Sequence, residues 1–228
     1  MHPVRFKLYF NVIYFVWVLF SSSLTAQSLQ QTKLTVCRLK YGGGGDWYND
    51  RSIIPNLLNE FSKRAGAQCD PDQAILTPSD PNIFYYPILF ITGHGNIVFS
   101  DEDIRMLRKH LQNGGFLYVD DDYGLDKAFR REVSRLFPEK ELIPVPFSHP
   151  IYHCFYSFPR GVPKIHLHDE KPPEGLGIFH EGRLVLFYSY ESNISDGWAD
   201  SDVHHDPPEI REEAFKMGIN ILYHALNQ

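Results

Sequence analysis

Residues 88–92 read Ile-Leu-Phe-Ile-Thr, an unbroken apolar run closed by one polar residue, with Gly93-His94-Gly95 directly behind it. A strand wetted on one face alternates apolar and polar side chains. A short run without alternation fits a strand buried on both faces, and such strands belong to parallel sheets covered by helices. Residues 116–119 (FLYV) repeat the pattern and end in Asp120-Asp121-Asp122. Between the runs, Ser100 with Asp103 three residues on forms a capping-box variant, and Ile104, Leu107 and Leu111 form an apolar stripe. Gly114-Gly115 supplies the left-handed stop. Strand, helix and strand in that order predict one unit of a doubly wound α/β fold.

The flanks extend the alternation. Upstream, residues 34–39 (LTVCRL) read as a strand, and residues 42–48 as a glycine-rich loop. Ile53, Leu57, Leu58 and Phe61 mark a helix ended by Gly66, and residues 74–76 a short strand. Downstream, Leu125, Phe129, Val133 and Leu136 give a helix stopped by Pro138, and residues 142–145 a fifth strand. Residues 146–175 are rich in Pro, aromatics and His and read as irregular. Residues 176–179 and 183–190 surround Glu181-Gly182, a hairpin signal that adds an antiparallel edge. Pro207-Pro208 opens a last helix with Ile210, Ala214, Met217, Ile221, Leu222 and Ala225 on its apolar face. The expected fold is a three-layer, doubly wound, mostly parallel α/β sheet with a C-terminal hairpin addition, in a single domain over residues 27–228.

The first 26 residues read as a leader. Arg5 and Lys7 precede an apolar stretch of 13 residues, 8–20, and a small, polar segment ends at Ala26. That is the pattern of a secretory signal peptide, and the stretch is shorter than the ~20 residues that span a bilayer. The expectation is export to the periplasm or medium, with no transmembrane span in the mature chain. Without residues 1–26 the chain carries 20 basic and 28 acidic side chains, net −8. Lys and Arg are not clustered, so the basic face that nucleic-acid binding requires is missing. Three cysteines, Cys37, Cys69 and Cys154, match no zinc or disulfide framework. Buried thiols are the expectation, with Cys37–Cys69 as a disulfide candidate.

Ligands of open α/β sheets bind beyond the carboxyl ends of the strands, and the polar motifs fall there. The loop after the first strand carries Gly44, Asp46, Trp47 and Tyr48; Gly93-His94 follows residues 88–92, and Asp120-Asp121-Asp122 follows residues 116–119. The glycines either wrap an anion or form a turn pinned by Trp47. His94 is either a catalyst or ligand, or a histidine satisfied by backbone. Three adjacent aspartates need a cation, a helix start or bulk water to offset their repulsion. His149 follows the proposed fifth strand. His166 and His168, two apart, share one face of an extended segment and suit Zn²⁺ or Mn²⁺ once a carboxylate joins them. Asp196 and Trp198, with His204-His205-Asp206 behind them, form a last polar and aromatic segment in which Trp198 stacks on a ligand or packs inside.

YGGGGDWY (41–48), YPILFITGHG (86–95), LRKHLQNGGFLYVDDD (107–122), HPIYHCFY (149–156), KIHLHD (164–169), DGW (196–198) and EEAFKMGINILYHAL (212–226) occur in an order that resembles the bacterial family of domain of unknown function 4159 (DUF4159). That family is similar to the class I glutamine amidotransferase-like, flavodoxin-like superfamily, which implies the three-layer architecture and brings no activity with it. Where amidotransferases carry a G-x-C-x-G nucleophile elbow, this chain has Asp120-Asp121-Asp122-Tyr123-Gly124. A carboxylate does not replace a thiolate that must attack an amide and leave again, so glutamine hydrolysis is not expected.

The resulting expectation is a noncatalytic module that binds an extracytoplasmic protein, peptide or saccharide, with no cofactor. Its ligand-binding residues are Gly44, Asp46, Trp47, Tyr48, Gly93, His94, Asp121, His149, Asp196 and Trp198. The alternative is an Asp/His-based or metal-assisted hydrolase drawing on His94, Asp120, Asp121, Asp122 and His149, with His166 and His168 as metal ligands.

Overall fold

A computed structural model describes residues 33–228; the leader expected over residues 1–26 lies outside the described residues. Seven strands form one sheet: β1 (Cys37–Leu39), β2 (Ala74–Leu76), β3 (Ile88–Ile91), β4 (Phe116–Asp120), β5 (Ile143–Pro144), β6 (Glu174–His180) and β7 (Arg183–Tyr190). Their order is β2-β1-β3-β4-β7-β6-β5. The first five in that order run parallel, β6 is antiparallel to β7, and β5 is antiparallel to β6. Helices α1 (Ile53–Ala65), α2 (Asp101–Gln112), α3 (Asp126–Leu136) and α4 (Pro208–Asn227) complete the described fold.

The apolar runs decide how the helices attach. Along β3, Ile88 and Phe90 face one core with α1 and α4, while Leu89 and Ile91 face another with α2 and α3. Along β4, Phe116 and Tyr118 divide from Leu117 and Val119 in the same way. Period-two alternation inside a uniformly apolar run thus covers both faces of the sheet. Ser100 and Asp103 form the full reciprocal capping box of α2, and Gly66, at φ 69°, ends α1. Gly218 lies where α4 meets α1: a Cβ there would stand 2.6 Å from both Leu57 and Trp198.

Two strands differ from the sequence reading. The expected fifth strand is a two-residue, exposed edge, where Pro144 needs no ladder donor. The place beside β4 goes instead to β7, which pairs in parallel from Leu117↔Leu186 to Asp120↔Ser189. The segment turning at Glu181-Gly182 therefore puts only β6 and β5 toward the edge. All three cysteines are free. Cys37 belongs to the α2–α3 core, whereas Cys69 packs against the α1–α4 core, so the Cys37–Cys69 pairing is ruled out by the sheet between them. No helix of the described residues is long and apolar enough to cross a membrane.

His224, on α4, is buried beside His149 and Phe116, at ring separations of 5.0 and 6.4 Å. Burial first, and His149 second, hold it down at about 4 from an ordinary 6.5. Below pH 6.5 the unfolded chain takes up a proton that the folded chain refuses, so stability falls as pH drops toward 4 and levels off beneath it. Urea melts between pH 7 and 4 should lose on the order of 2–3 kcal/mol through this group, and His224→Phe should flatten that part of the slope.

Candidate functional site

Four strand ends supply the site. The chain order reverses between β1 and β3, on either side of which strands 2-1 and 3-4-7 diverge. Such a switch point opens a crevice at the carboxyl ends. The loops after β1, β3, β4 and β7 all contribute to it, joined by residues 164–168 and 204–206.

Arg38 organises the first loop. It is 1% exposed on β1, and its guanidinium donates to the carbonyls of Trp47, Asn49 and Asp50 at 3.2, 2.5 and 3.1 Å. Its fixed fork of donors turns a loop into a rigid support for Asp46, Asn49 and Asp50. Gly93 then admits Asp46: its φ is 132°, and a Cβ there would overlap the Tyr41 hydroxyl and lie 2.9 Å from Asp46 Oδ1. With that space open, Asp46 accepts the His94 backbone N–H at 2.5 Å and faces its Nδ1 at 3.0 Å. Asp122 Oδ2 stands 3.3 Å from the same Nδ1. The Asp46 carboxylate at Nδ1 fixes the proton there and leaves Nε2 as the basic nitrogen.

The three aspartates at the end of β4 separate by strand alternation. Asp120 is fully buried and accepts from the Ser195 backbone N–H at 2.6 Å and from the Ser189 hydroxyl. Burial raises its pKa, against the pull of those donors. Asp121 points the other way, accepts the Leu125 N–H at 3.1 Å ahead of α3, and is raised to about 6 by burial. Asp122 enters the rim. It receives Asn49 Nδ2 at 2.5 Å and Asn193 Nδ2 at 3.0 Å, yet burial, with Asp196, Asp120, Asp50 and Asp46 around it, pushes it up to about 9.

The loop after β7 completes the floor. Residues 191–199 are all buried, and Asn193 holds a left-handed φ of 54°. Its amide nitrogen meets His168 Nε2 at 2.7 Å, Asp122 Oδ1 at 3.0 Å and Asp196 Oδ2 at 3.2 Å. Ile165 N–H donates to the Ser192 carbonyl at 2.9 Å, which docks residues 164–168 beside this loop. His166 lies between Asp196, at 2.8 Å from Nδ1, and Asp206, at 2.7 Å from Nε2. Hydrogen bonding to Asp196, helped by Asp206 and opposed by burial, raises it to about 9. Burial works against ionising Asp196, but the His166 hydrogen bond and the charge of His204 hold its pKa low. His168 is lowered by burial and by His166, and its ring lies 4.8 Å from that of Tyr123. His204 Nε2 stands 2.9 Å from Asp50 and 3.9 Å from Asp196.

The site therefore gathers Asp46, Gly93, His94, Asp122, His166, His168 and Asp196 from among the residues singled out in the sequence. It adds Asn49, Asp50 and Asn193, and draws in from the polar segment noted in the sequence His204 and Asp206. The polar string 204–206 was a visible signal for the last two, whereas Asn193 had none beyond following a strand. Gly44 and Tyr48 are exposed nearby on the loop, and Trp47 lies under Lys40, 5.5 Å from its ring centroid. His149 stands apart: it caps a turn at the Ile151 N–H and packs on Phe179 and His224. Trp198 is 1% exposed beneath the site, against Phe90 and Tyr118, and its Nε1 donates to Ala214 O at 2.8 Å. A cleft of about 570 Å³ lined by Phe147, Phe158, Arg160, Lys164 and Pro172 touches the rim at Lys164, whose ammonium pairs with Glu191 at 3.0 Å.

These features define a mixed α/β protein with a mostly parallel sheet and an aspartate- and histidine-rich site at its switch point. The chain belongs to the DUF4159 family: a family model described as "Domain of unknown function (DUF4159)" matches residues 35–226. No curated protein matches it. Trp198→Ala should lower stability by about 3–5 kcal/mol, as a large cavity in a core does. Chemical denaturation measures it; a loss below about 1 kcal/mol would mean that the indole is not buried there.

Proposed function

We propose that the chain is a hydrolase that runs acid–base chemistry at the rim of its sheet, outside the cytoplasm. The observation that carries this reading is the meeting of Asp46, His94 and Asp122, which three different strand ends deliver within hydrogen-bond reach of one imidazole. A histidine whose Nδ1–H is held by carboxylate keeps Nε2 free to take a proton from water and return it to a leaving group. Such pairing contributes roughly 10²–10⁴-fold in rate. The noncatalytic expectation gains nothing comparable, because Trp198 lies in the core and His149 elsewhere.

The finer fold assignment, a class I glutamine amidotransferase-like three-layer scaffold, is part of the same proposal. The parallel order 2-1-3-4-7 and the helices on both faces support it. Thiol chemistry is not part of it. Asp122 occupies the elbow position, and left-handed non-glycine backbone occurs at Asp50, Glu181, Glu191, Asn193 and His205, not at Asp122. The strained turn that presents a nucleophile is therefore absent along with the sulfur. The carboxylate-rich rim repels polyanions, so the substrate class is a neutral or cationic ester, amide or glycoside. Tyr48 and Tyr123, both exposed at the rim, offer flat faces to it.

The test is a panel of chromogenic acyl esters, glycosides and peptides. Wild-type protein should turn over at least one class, and His94→Ala and Asp122→Asn should each reduce kcat by about 10²–10⁴-fold. Retention of a ligand without turnover, or equal rates in the variants, would return the protein to the class of binding modules.

A further inference from the structure

We infer that Asp196 bridges two divalent transition-metal cations, one held by His166 and His204 and the other by Asp122 and His168. Each trio offers one ligand atom per residue, and within each trio those atoms lie within 4.8 Å of one another. Asp196 is the member common to both. Bonds of about 2.0–2.2 Å put the ligands of a tetrahedral ion about 3.4 Å apart, so small side-chain rotations close the first set, and the second closes once the Asn193 amide nitrogen, 2.7–3.2 Å from its three members, swings aside. Imidazole with carboxylate selects Zn²⁺ or Mn²⁺ over Ca²⁺ and Mg²⁺, which prefer oxygen alone.

Three further observations point to cations rather than to a self-contained hydrogen-bond network. Asp46, Asp50, Asp122, Asp196 and Asp206 crowd this rim, and among the described residues no Lys or Arg forms an ion pair with any of them. The Arg38 guanidinium beneath the first loop is committed to backbone carbonyls and to Gln73 instead. Two buried oxygens at the margins, Asp206 Oδ2 and Asn49 Oδ1, have no hydrogen-bond partner; the Asp206 side chain is only 9% exposed. An orphaned buried acceptor is costly unless something electropositive reaches it. Asp206 also stands behind His166, holding Nε2–H at 2.7 Å while Nδ1 faces Asp196. That carboxylate–histidine relay orients an imidazole toward a metal.

The inference rests on reading the rim as a functional site, but ion count and turnover are measured separately. The full chain, stripped with chelator, is titrated calorimetrically with Zn²⁺ and with Mn²⁺, and its metal content is measured after desalting. Two ions per chain are expected, with His204→Gln and His168→Gln each retaining one and Asp196→Asn losing both. Asp206→Asn, which spares the ligands, should weaken one site by roughly 10–100-fold. In the unmutated chain, two Mn²⁺ ions sharing a carboxylate give an exchange-coupled paramagnetic resonance spectrum, a readout that needs no variant to fold. Fewer than two ions, or two uncoupled six-line signals, would overturn the bridge. Two coupled ions without hydrolysis would keep the centre and remove the hydrolase. Hydrolysis by an ion-free chain would do the reverse.

Discussion

The parallel pairing of β4 with β7 is the constraint on which the site depends. It joins residues about 70 positions apart, and its last register pair sets Asp120 opposite Ser189. Asp120 then ties both ends of the contact together, through the Ser189 hydroxyl and the Ser195 N–H. A buried carboxylate is tolerated only with such partners, so the pairing and the loop conformation stand or fall together. Once residues 191–196 are seated, Asn193 and Asp196 face Asp122 without further adjustment. Asp120 thus positions the loop from beneath the candidate site.

Above that floor the rim is electrostatically expensive. Asp122 is kept neutral by burial and by the acids around it, while His166 is kept charged by Asp196 and Asp206. Neither state would hold in water. Left-handed backbone at Asp50, Asn193 and His205 adds local strain within the same few loops. Strained backbone and displaced pKa values gather where a fold has been arranged for ligand chemistry rather than for stability. The stability is supplied below, by the stacked column of Phe90, Tyr118 and Phe187 with Trp198 against its side.

Much of the scaffold is legible in the sequence because its determinants are local. The runs at 88–92 and 116–119, the Ser100–Asp103 box and Gly66 each act within a few residues. The position of β7 is not local. Its middle, LVLFY, is as apolar as β3, and nothing in it says whether the neighbour is β4 or β6 alone. The separation of Asp121 from Asp120 and Asp122 follows from strand alternation and was available to a stricter reading. The roles of Asn49, Asn193 and Asp206 were not, since each is defined by what lies across the sheet. His149 shows the opposite case: a conspicuous histidine explained by a local turn and by α4.

The central claim is that chain-distant carboxylates enclose the His166 imidazole. Nitrogen-15 resonance of the histidine side chains, followed against pH in chelated protein, tests it directly. With Asp196 at one ring nitrogen and Asp206 at the other, His166 should remain imidazolium through pH 8 and titrate only near 9. A midpoint close to the ordinary 6.5 would mean that those acids do not surround it, and the convergence described above would be wrong.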